Sequence, residues 1–271
     1  MNTYFPSDYQ AFIHTSRYAK WLDSENRREN WGETVNRYVD NLVLPKITDD
    51  ETVMAVREAI TNLDVMPSMR AMMSSGKAFD RDNTAGYNCS YLPVDDIRSF
   101  DEAMFILLCG TGVGFSVERQ YVNELPIVPM NLINLDETII VADSKEGWAW
   151  SLRTLITSLY NGVVPKWDVT RVRPAGAKLR TFGGRASGPA PLVDLFQFVV
   201  SKFKEASGDR LTSLHCHDIM CKIGEVVVVG GVRRSAMISL SNLSDDRMRH
   251  AKSGAYWEAN GQRNLANNSV A

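Results

Sequence analysis

Two stretches of this 271-residue chain carry residue types at spacings that could do chemistry. The first is Ala85-Gly86-Tyr87-Asn88-Cys89-Ser90-Tyr91-Leu92-Pro93, with one cysteine between polar neighbours at the mouth of an apolar run. A cysteine there can be a small buried hydrophobe, or a redox thiol if a second thiol comes within reach. Cys109, after an intervening helix, is a poor partner by spacing. The second stretch is Cys109-Gly110-Thr111-Gly112-Val113-Gly114-Phe115. Its glycines would let backbone N–H groups converge on an anion, or make a tight turn under close packing. No Gly-Lys-Ser/Thr follows, so it is not a P-loop. It follows a helical stretch and precedes a strand, the wrong setting for a dinucleotide fingerprint.

Three later features add to these. Asp143-Ser144 opens an amphipathic run. It caps a helix, and its carboxylate could also accept from a sugar hydroxyl beside a phosphate held by the helix N-terminus. Gly183-Gly184-Arg185-Ala186-Ser187-Gly188-Pro189 reads either as a linker or as a small-residue loop around a planar cation suited to phosphate or base. His215, Cys216, His217 and Cys221 invite a metal reading, but no second ligand pair at Cys-x-x-Cys or His-x₃-His spacing exists. A packed helix accounts for them, and no metal is expected.

The elements that must position these groups follow from periodicity. Ser16 to Leu44 reads as helix, with a possible break at Asp23-Ser24-Glu25-Asn26. Thr48 with Glu51 predicts a capping box for a helix running through Leu63. Strands are expected at Tyr87–Val94, Phe115–Glu118, Thr138–Ala142, Glu225–Val229 and Met237–Leu240, with another starting at Ala266. Helices are expected at Phe100–Leu108, Trp148–Tyr160 (stopped by Asn161-Gly162), Leu192–Glu205, Leu211–Ile223 and Asp245–Lys252. Pro165 to Pro191 lacks periodicity and reads as loop. Strands alternating with helices make the chain α/β with a largely parallel sheet. The domain reading is residues 1–65 as a helical N-terminal region and 66–271 as the α/β part.

Composition narrows the class. The formal net charge is −2, which gives no bulk electrostatic case for nucleic acid. No apolar run reaches membrane-spanning length, and Met1 to Gln10 lacks a signal-peptide layout. Four cysteines are too few for a disulfide framework, so a reducing, cytoplasmic setting is expected.

In order and spacing, Pro67-Ser68-Met69-Arg70, Ala85–Pro93, Cys109–Arg119, Val141–Trp148, Arg173–Pro189, Val227–Leu243 and Leu265–Val270 together resemble a known family. It is the adenosylcobalamin-dependent (class II) ribonucleotide reductases, and the likeness is to the N-terminal half of the monomeric, phage-like type that reduces ribonucleoside triphosphates. The resemblance implies a helical N-terminal region followed by the first half of a ten-stranded α/β barrel. It implies thiyl-radical reduction of a ribonucleotide to its 2′-deoxy form, with two further cysteines as the electron source. By motif position Cys89 is one of that pair. Ser68, Asn88, Gly112, Val113 and Gly114 would bind substrate. Asp143, Ser144 and Lys145 would bind a deoxynucleotide or ATP effector. Gly183, Gly184, Arg185, Ala186, Ser187 and Gly188 would form the specificity loop between the two sites. Implied partners are a thioredoxin-like reductant and adenosylcobalamin, the latter held mainly by the other half.

The sequence departs from the family in one large respect. The radical-cysteine motif Asn-x-Cys-x-Glu is absent from these residues, as are the second reducing cysteine and the re-reducing thiols. The expectation is a half-protein or fragment completed by a C-terminal half, as a separate chain or a continuation, and inactive alone. A non-catalytic nucleotide-binding regulator is the alternative, and a zinc protein using the His215–Cys221 group is a third reading.

Overall fold

The computed structural model describes residues 4–80, 82–177, 185–229 and 237–268. The chain forms two compact units, Met1–Asn88 and Cys89–Ala271. By packing, residues 66–88 therefore go with the helical unit, past the 65/66 boundary read from sequence.

The first unit is helical. Its helices are α1 (Asp8–Ile13), α2 (Trp31–Tyr38), α3 (Asp50–Thr61) and α4 (Met69–Ser74). The expected single helix over Ser16–Leu44 is broken by more than a kink. The polar Asp23–Asn26 segment turns a short antiparallel hairpin, β1 (Trp21–Leu22) on β2 (Arg27–Arg28), with Asn26 at φ +52°. Asparagine tolerates that left-handed conformation better than most residues. A capping box does form, but at Asn30 and Glu33 at the start of α2. The next helix is capped by Asp49, whose side chain accepts from the Thr52 amide, and not by Thr48. Trp31, Val35, Val39, Val53, Ile60 and Met72 make the core. Beside it, His14 Nε2 lies 2.9 Å from Thr34 Oγ1, and the Thr34 hydroxyl donates to Glu29. Arg37 pairs with Glu29 at 2.7 Å and reaches the Met72 and Ser75 carbonyls, tying α2 to the end of α4.

The second unit is α/β. Four strands, β3 (Cys89–Pro93), β4 (Gly112–Ser116), β7 (Met237–Leu240) and β8 (Ala266–Asn268), form a parallel sheet in that order. Among the described residues this sheet is open and does not close into a barrel. Parallel neighbours need a crossover, which α5 (Ser99–Leu108) supplies between β3 and β4. A one-turn α6 (Arg119–Val122) follows β4. A second parallel pair, β5 (Ile133–Ile140) and β6 (Val163–Asp168), is joined by α7 (Lys145–Tyr160). Then come α8 (Ala190–Glu205), α9 (Ser213–Val229), α10 (Asp246–Arg249) and α11 (Tyr256–Asn260).

Several expected elements change here. Glu225–Val229 is the last turn of α9, not a strand. Cys216, Ile219, Met220, Ile223, Val226 and Val227 recur three or four apart and all are buried, so packing of one helical face overrides the β-branched run. Residues 165–168, the start of the stretch read as loop, belong to β6 because this segment pairs with β5. The strand expected at Thr138–Ala142 begins earlier and ends at Ile140. Asp245–Lys252 shortens to one turn, capped by Asp245. The glycine run splits. Gly110, at φ +82°, ends α5, and Gly112-Val113-Gly114 is already strand.

One core serves both sheets. It contains Phe100, Met104 and Leu107 of α5, Leu152, Leu155 and Ile156 of α7, and Phe196, Val199 and Phe203 of α8. Two bidentate pairs lock its rim. Arg153 of α7 holds Asp101 of α5 through Nε at 3.0 Å and Nη2 at 2.6 Å. Arg263 holds the buried Asp218 of α9 at 2.6 and 2.7 Å.

His217 is buried between Phe115 of β4 and Ser239 of β7, its Nδ1 2.9 Å from Ser239 Oγ. Burial holds its imidazole down at about 4. The unfolded chain binds that proton near pH 6.5, the folded chain only near pH 4, so stability is complete above 6.5 and is lost as pH falls between the two. His14 and His215, also lowered by burial, act in the same direction. Urea unfolding should show a loss of about 2 kcal/mol from His217 between pH 7.5 and 5, and a His217→Gln chain should lose much of that slope. An equally steep slope in the variant would contradict the assignment.

Candidate functional site

Two places in the second unit gather the residues singled out from sequence. The first is the amino end of the parallel sheet. Cys89 is the first residue of β3 and Gly112 the first of β4, and the two are register partners. Ser90 pairs with Val113 and Tyr91 with Gly114 in the same way. The Ser90 hydroxyl donates to the Gly112 carbonyl at 2.9 Å. Sequence reasoning separated the cysteine stretch from the glycine stretch, and parallel pairing puts them side by side.

Packing beside Gly114 is close. A Cβ there would sit 3.2 Å from Ile238 Cγ2 and 3.6 Å from the Ser90 carbonyl oxygen. Val113 is buried, so it could offer a ligand little but backbone. Cys89 is an exposed free thiol, while Cys109, Cys216 and Cys221 are buried. Of the four, Cys89 is the one open to a substrate or a reductant. Ser68 and Asn88 belong to the first unit. Ser68 precedes α4 and its side chain makes no capping bond. Asn88 Oδ1 accepts from Arg70 Nε at 3.2 Å.

The second place is the carboxyl end of the β5–β6 pair. Both strands run the same way and end in register at Ile140 and Asp168, so the segments that follow emerge together. Asp143, Ser144 and Lys145 lie at this end. Ser144 caps α7, accepting from the Gly147 amide at 3.0 Å. The turn is tight: a Cβ on Gly147 would lie 2.6 Å from the Ala142 carbonyl oxygen. In α/β sheets the crevice beyond the strand carboxyl ends is the usual ligand position, and a helix N-terminus there favours an anion.

A residue not singled out from sequence completes this corner. Arg173 Nε donates to Asp143 Oδ2 at 2.8 Å, and both side chains are about one-third exposed. The signal was present in the spacing only in retrospect: the two residues are far apart in sequence and meet because β5 and β6 pair in parallel. Just past Arg173 the chain enters a closed stem. Gly176 donates to the Ala186 carbonyl and Ala186 to that of Ala177, both at 2.8 Å. Arg185 Nη1 turns back to the Gly176 carbonyl at 2.9 Å. Gly188, at φ +76°, has no room for a side chain, with the Ala175 amide nitrogen 2.9 Å from its Cβ position. Thus Arg185, Ala186, Ser187 and Gly188 lie in the stem or next to it, while Gly183 and Gly184 lie outside the described residues.

The His215–Cys221 group holds α9 to its neighbours. His217 Nε2 lies 3.5 Å from Cys221 Sγ, His215 faces Glu205, and burial pushes the thiols of Cys216 and Cys221 up, away from the thiolate a metal would need. Among the described residues no group of three or more His, Cys, Asp or Glu side chains is placed to hold a metal, and no helix is long and apolar enough to cross a membrane.

The parallel sheet with an exposed thiol at its amino end, and the capped helix at a strand-pair exit, make this an α/β protein with two candidate ligand positions. A family model described as "B12-dependent ribonucleotide reductase, insertion domain" matches residues 131–202, the β5–α7–β6 unit with its stem and most of α8. The adenosylcobalamin-dependent ribonucleoside-triphosphate reductase of Lactobacillus helveticus (strain DPC 4571) is 30% identical over 329 residues, covering 94% of this chain and 44% of that protein. The enzyme of the same description from Lactobacillus gasseri is 28% identical, with the same coverage of both. A crystal structure of a B12-dependent (class II) ribonucleotide reductase superposes with a TM-score of 0.80 at 25% identity, covering 96% of this chain and 45% of that one. The chain belongs to the B12-dependent, class II ribonucleotide reductase family. It spans less than half the length of the curated relatives it matches.

The Gly147 turn gives a direct test of the second site's scaffold. Gly147→Ala should destabilise the chain by about 2 kcal/mol through overpacking against Ala142, read as a lower urea midpoint. A midpoint equal to wild type would show that the turn has slack.

Proposed function

We propose that this chain is the N-terminal part of an adenosylcobalamin-dependent ribonucleoside-triphosphate reductase, carrying one reducing cysteine, substrate contacts and an allosteric effector site. The observation that carries the reading is the register pairing of an exposed Cys89 with Gly112, in a chain whose relatives bear that activity.

In this reading a ribonucleoside triphosphate lies at the amino end of β3 and β4. Gly112, Val113 and Gly114 would offer it backbone groups, and the resemblance to the family separately assigns Ser68 and Asn88 as substrate contacts. The Cys89 thiol gives up its hydrogen and one electron as its partner cysteine does the same. The two sulfurs join as a disulfide, and the substrate 2′-hydroxyl leaves as water. The partner and the radical cysteine are not among the cysteines present, and both are proposed to come from the remainder of the reductase. A thioredoxin-like dithiol then restores the thiols by exchange.

Adenosylcobalamin would supply the radical. Three of the four histidines are engaged within the fold, at Thr34 for His14, Glu205 for His215 and Ser239 for His217, and the fourth, His250, contacts Ser253 at the surface. The described residues thus form no evident cradle for a corrin, so its contacts are proposed to lie in the remaining half.

The effector is proposed to bind at the carboxyl end of β5 and β6. Asp143 would accept from a ribose hydroxyl, and the α7 N-terminus with Ser144 and Lys145 would face the phosphates. Arg173 joins this set through its ion pair with Asp143. The loop from Gly183 to Gly188, whose stem begins three residues past Arg173, would carry the effector's identity to the substrate site, a coupling of two sites.

Two measurements test this. The chain alone should bind a deoxynucleoside triphosphate, and Asp143→Ala should weaken it about tenfold or more through loss of a charge-assisted hydrogen bond. Isothermal titration showing no binding by wild type would remove the effector site. Complemented with the C-terminal half of a relative, Cys89→Ser should bind substrate normally yet fail to sustain turnover with a dithiol reductant. Wild-type turnover by that variant would end the redox assignment and leave a nucleotide-binding regulator as the better description.

A further inference from the structure

A second thiol meets a nucleophile at a place the reductase chemistry does not use. Cys109 closes the end of α5 and is fully buried. Lys145, the first residue of α7, donates from Nζ to Cys109 Sγ at 3.1 Å, and the same Nζ lies 4.6 Å from the centre of the Phe105 ring. Both backbones are fixed. The Cys109 amide donates to the Phe105 and Ile106 carbonyls, and Ser144 caps the helix from which Lys145 extends. Arg153 and Asp101 bolt the two helices together. The sulfur and the nitrogen are therefore held at the separation from which reacting atoms join.

We propose that Cys109 and Lys145 are a redox modification site, at which dioxygen closes a covalent S–O–N bridge between α5 and α7. In the step the Lys145 ammonium first gives one proton to solvent; the S–H bond and one N–H bond of the amine then break, and S–O and O–N bonds form. Sulfur and nitrogen each give up two electrons. Dioxygen takes the four, one oxygen atom entering the bridge and the other leaving as water with the two hydrogens. The geometry favours the inserted oxygen. Covalent bonds to sulfur are about 2 Å long, so a direct S–N bond would pull the two atoms together by about 1 Å, whereas an oxygen fits between them with little movement. Cys109 is buried, and dioxygen is small enough to reach it. A dithiol reverses the step with two equivalents, returning thiol, amine and water.

The bridge would act on the second site. It turns the Lys145 ammonium into an uncharged nitrogen and so removes a cation from the start of α7. Resting on the effector reading above, bridging lowers deoxynucleotide affinity about tenfold, as loss of a charge-assisted contact does. Oxidising conditions would then release the effector.

The test is peptide mass mapping of the full chain held under air or under argon with dithiothreitol. The air-exposed chain should show the Cys109 and Lys145 peptides joined, one oxygen heavier and two hydrogens lighter than their sum, with tryptic cleavage after Lys145 lost. Dithiothreitol should restore both peptides. Cys109→Ser and Lys145→Arg chains should show no such species. Cys109 oxidised to sulfinic or sulfonic acid with Lys145 free, or a joined species without added oxygen, or no change under prolonged air, would each overturn the proposal. Nucleotide titration of the two forms separates the readings. A bridged chain that binds deoxynucleotide as well as the reduced one leaves the bridge standing and removes Lys145 from the effector site.

Discussion

The second unit depends on β4 being able to pair in parallel on both sides. It is five residues long and takes β3 on one edge and β7 on the other. A parallel pair cannot be made by a tight turn, so each pairing forces a long crossover, and the crossovers are what bury the core. The chain between β3 and β4 becomes α5, and the chain between β4 and β7 holds the whole β5–α7–β6 unit, α8 and α9. Phe115 and Val113 point from β4 into this core and are fully buried, each contributing about 2 kcal/mol or more by removal from water. Gly112 and Gly114 alternate with them on the opposite face, where both are half-buried and Ile238 of β7 packs beside Gly114.

Much of this was legible because local signals and tertiary packing agreed. Ser144, Gly147 and the Asn161-Gly162 pair delimit α7 by capping chemistry alone, and Gly162 does adopt a positive φ. The strand read at Met237–Leu240 is β7. Reading failed where the two levels diverged. Val226 to Val229 carries strong strand propensity, yet Val226 and Val227 continue the buried stripe of α9, and burial of that stripe outweighs a helix penalty of about 0.5 kcal/mol per β-branched residue. Val163–Asp168 contains a proline and an exposed lysine and gave no strand pattern, because it needs to satisfy only one neighbour, β5.

The site was legible in its parts and not in its assembly. Cys89, the glycines, Asp143 and the small-residue loop each had an innocent reading, and their shared order carried the family resemblance. What no spacing could supply was pairing across the sheet. That Cys89 faces Gly112, and that Arg173 meets Asp143, are facts of strand register. Arg173 is instructive, since an arginine in a Gly- and Pro-rich segment looks like solvent-exposed charge. Its meaning comes from the parallel exit of β5 and β6, which delivers it to the carboxylate at the α7 cap.

The two sites lie on different sheets of one unit, and that division has a physical use. At the amino end of β3 and β4 the chain offers backbone and a single exposed thiol, Cys89. At the carboxyl end of β5 and β6 it offers the reverse, a carboxylate, two cations and a helix N-terminus, which suits recognition of a phosphorylated ligand and does no redox work with Cys89. Both sheets pack on α5 and α7, and these helices are locked to each other by Arg153 and Asp101. The start of α7 is thereby tied to α5, which leads directly through Gly110 into β4. Lys145 over Cys109 is a place where the two helices meet through polar atoms as well as by packing.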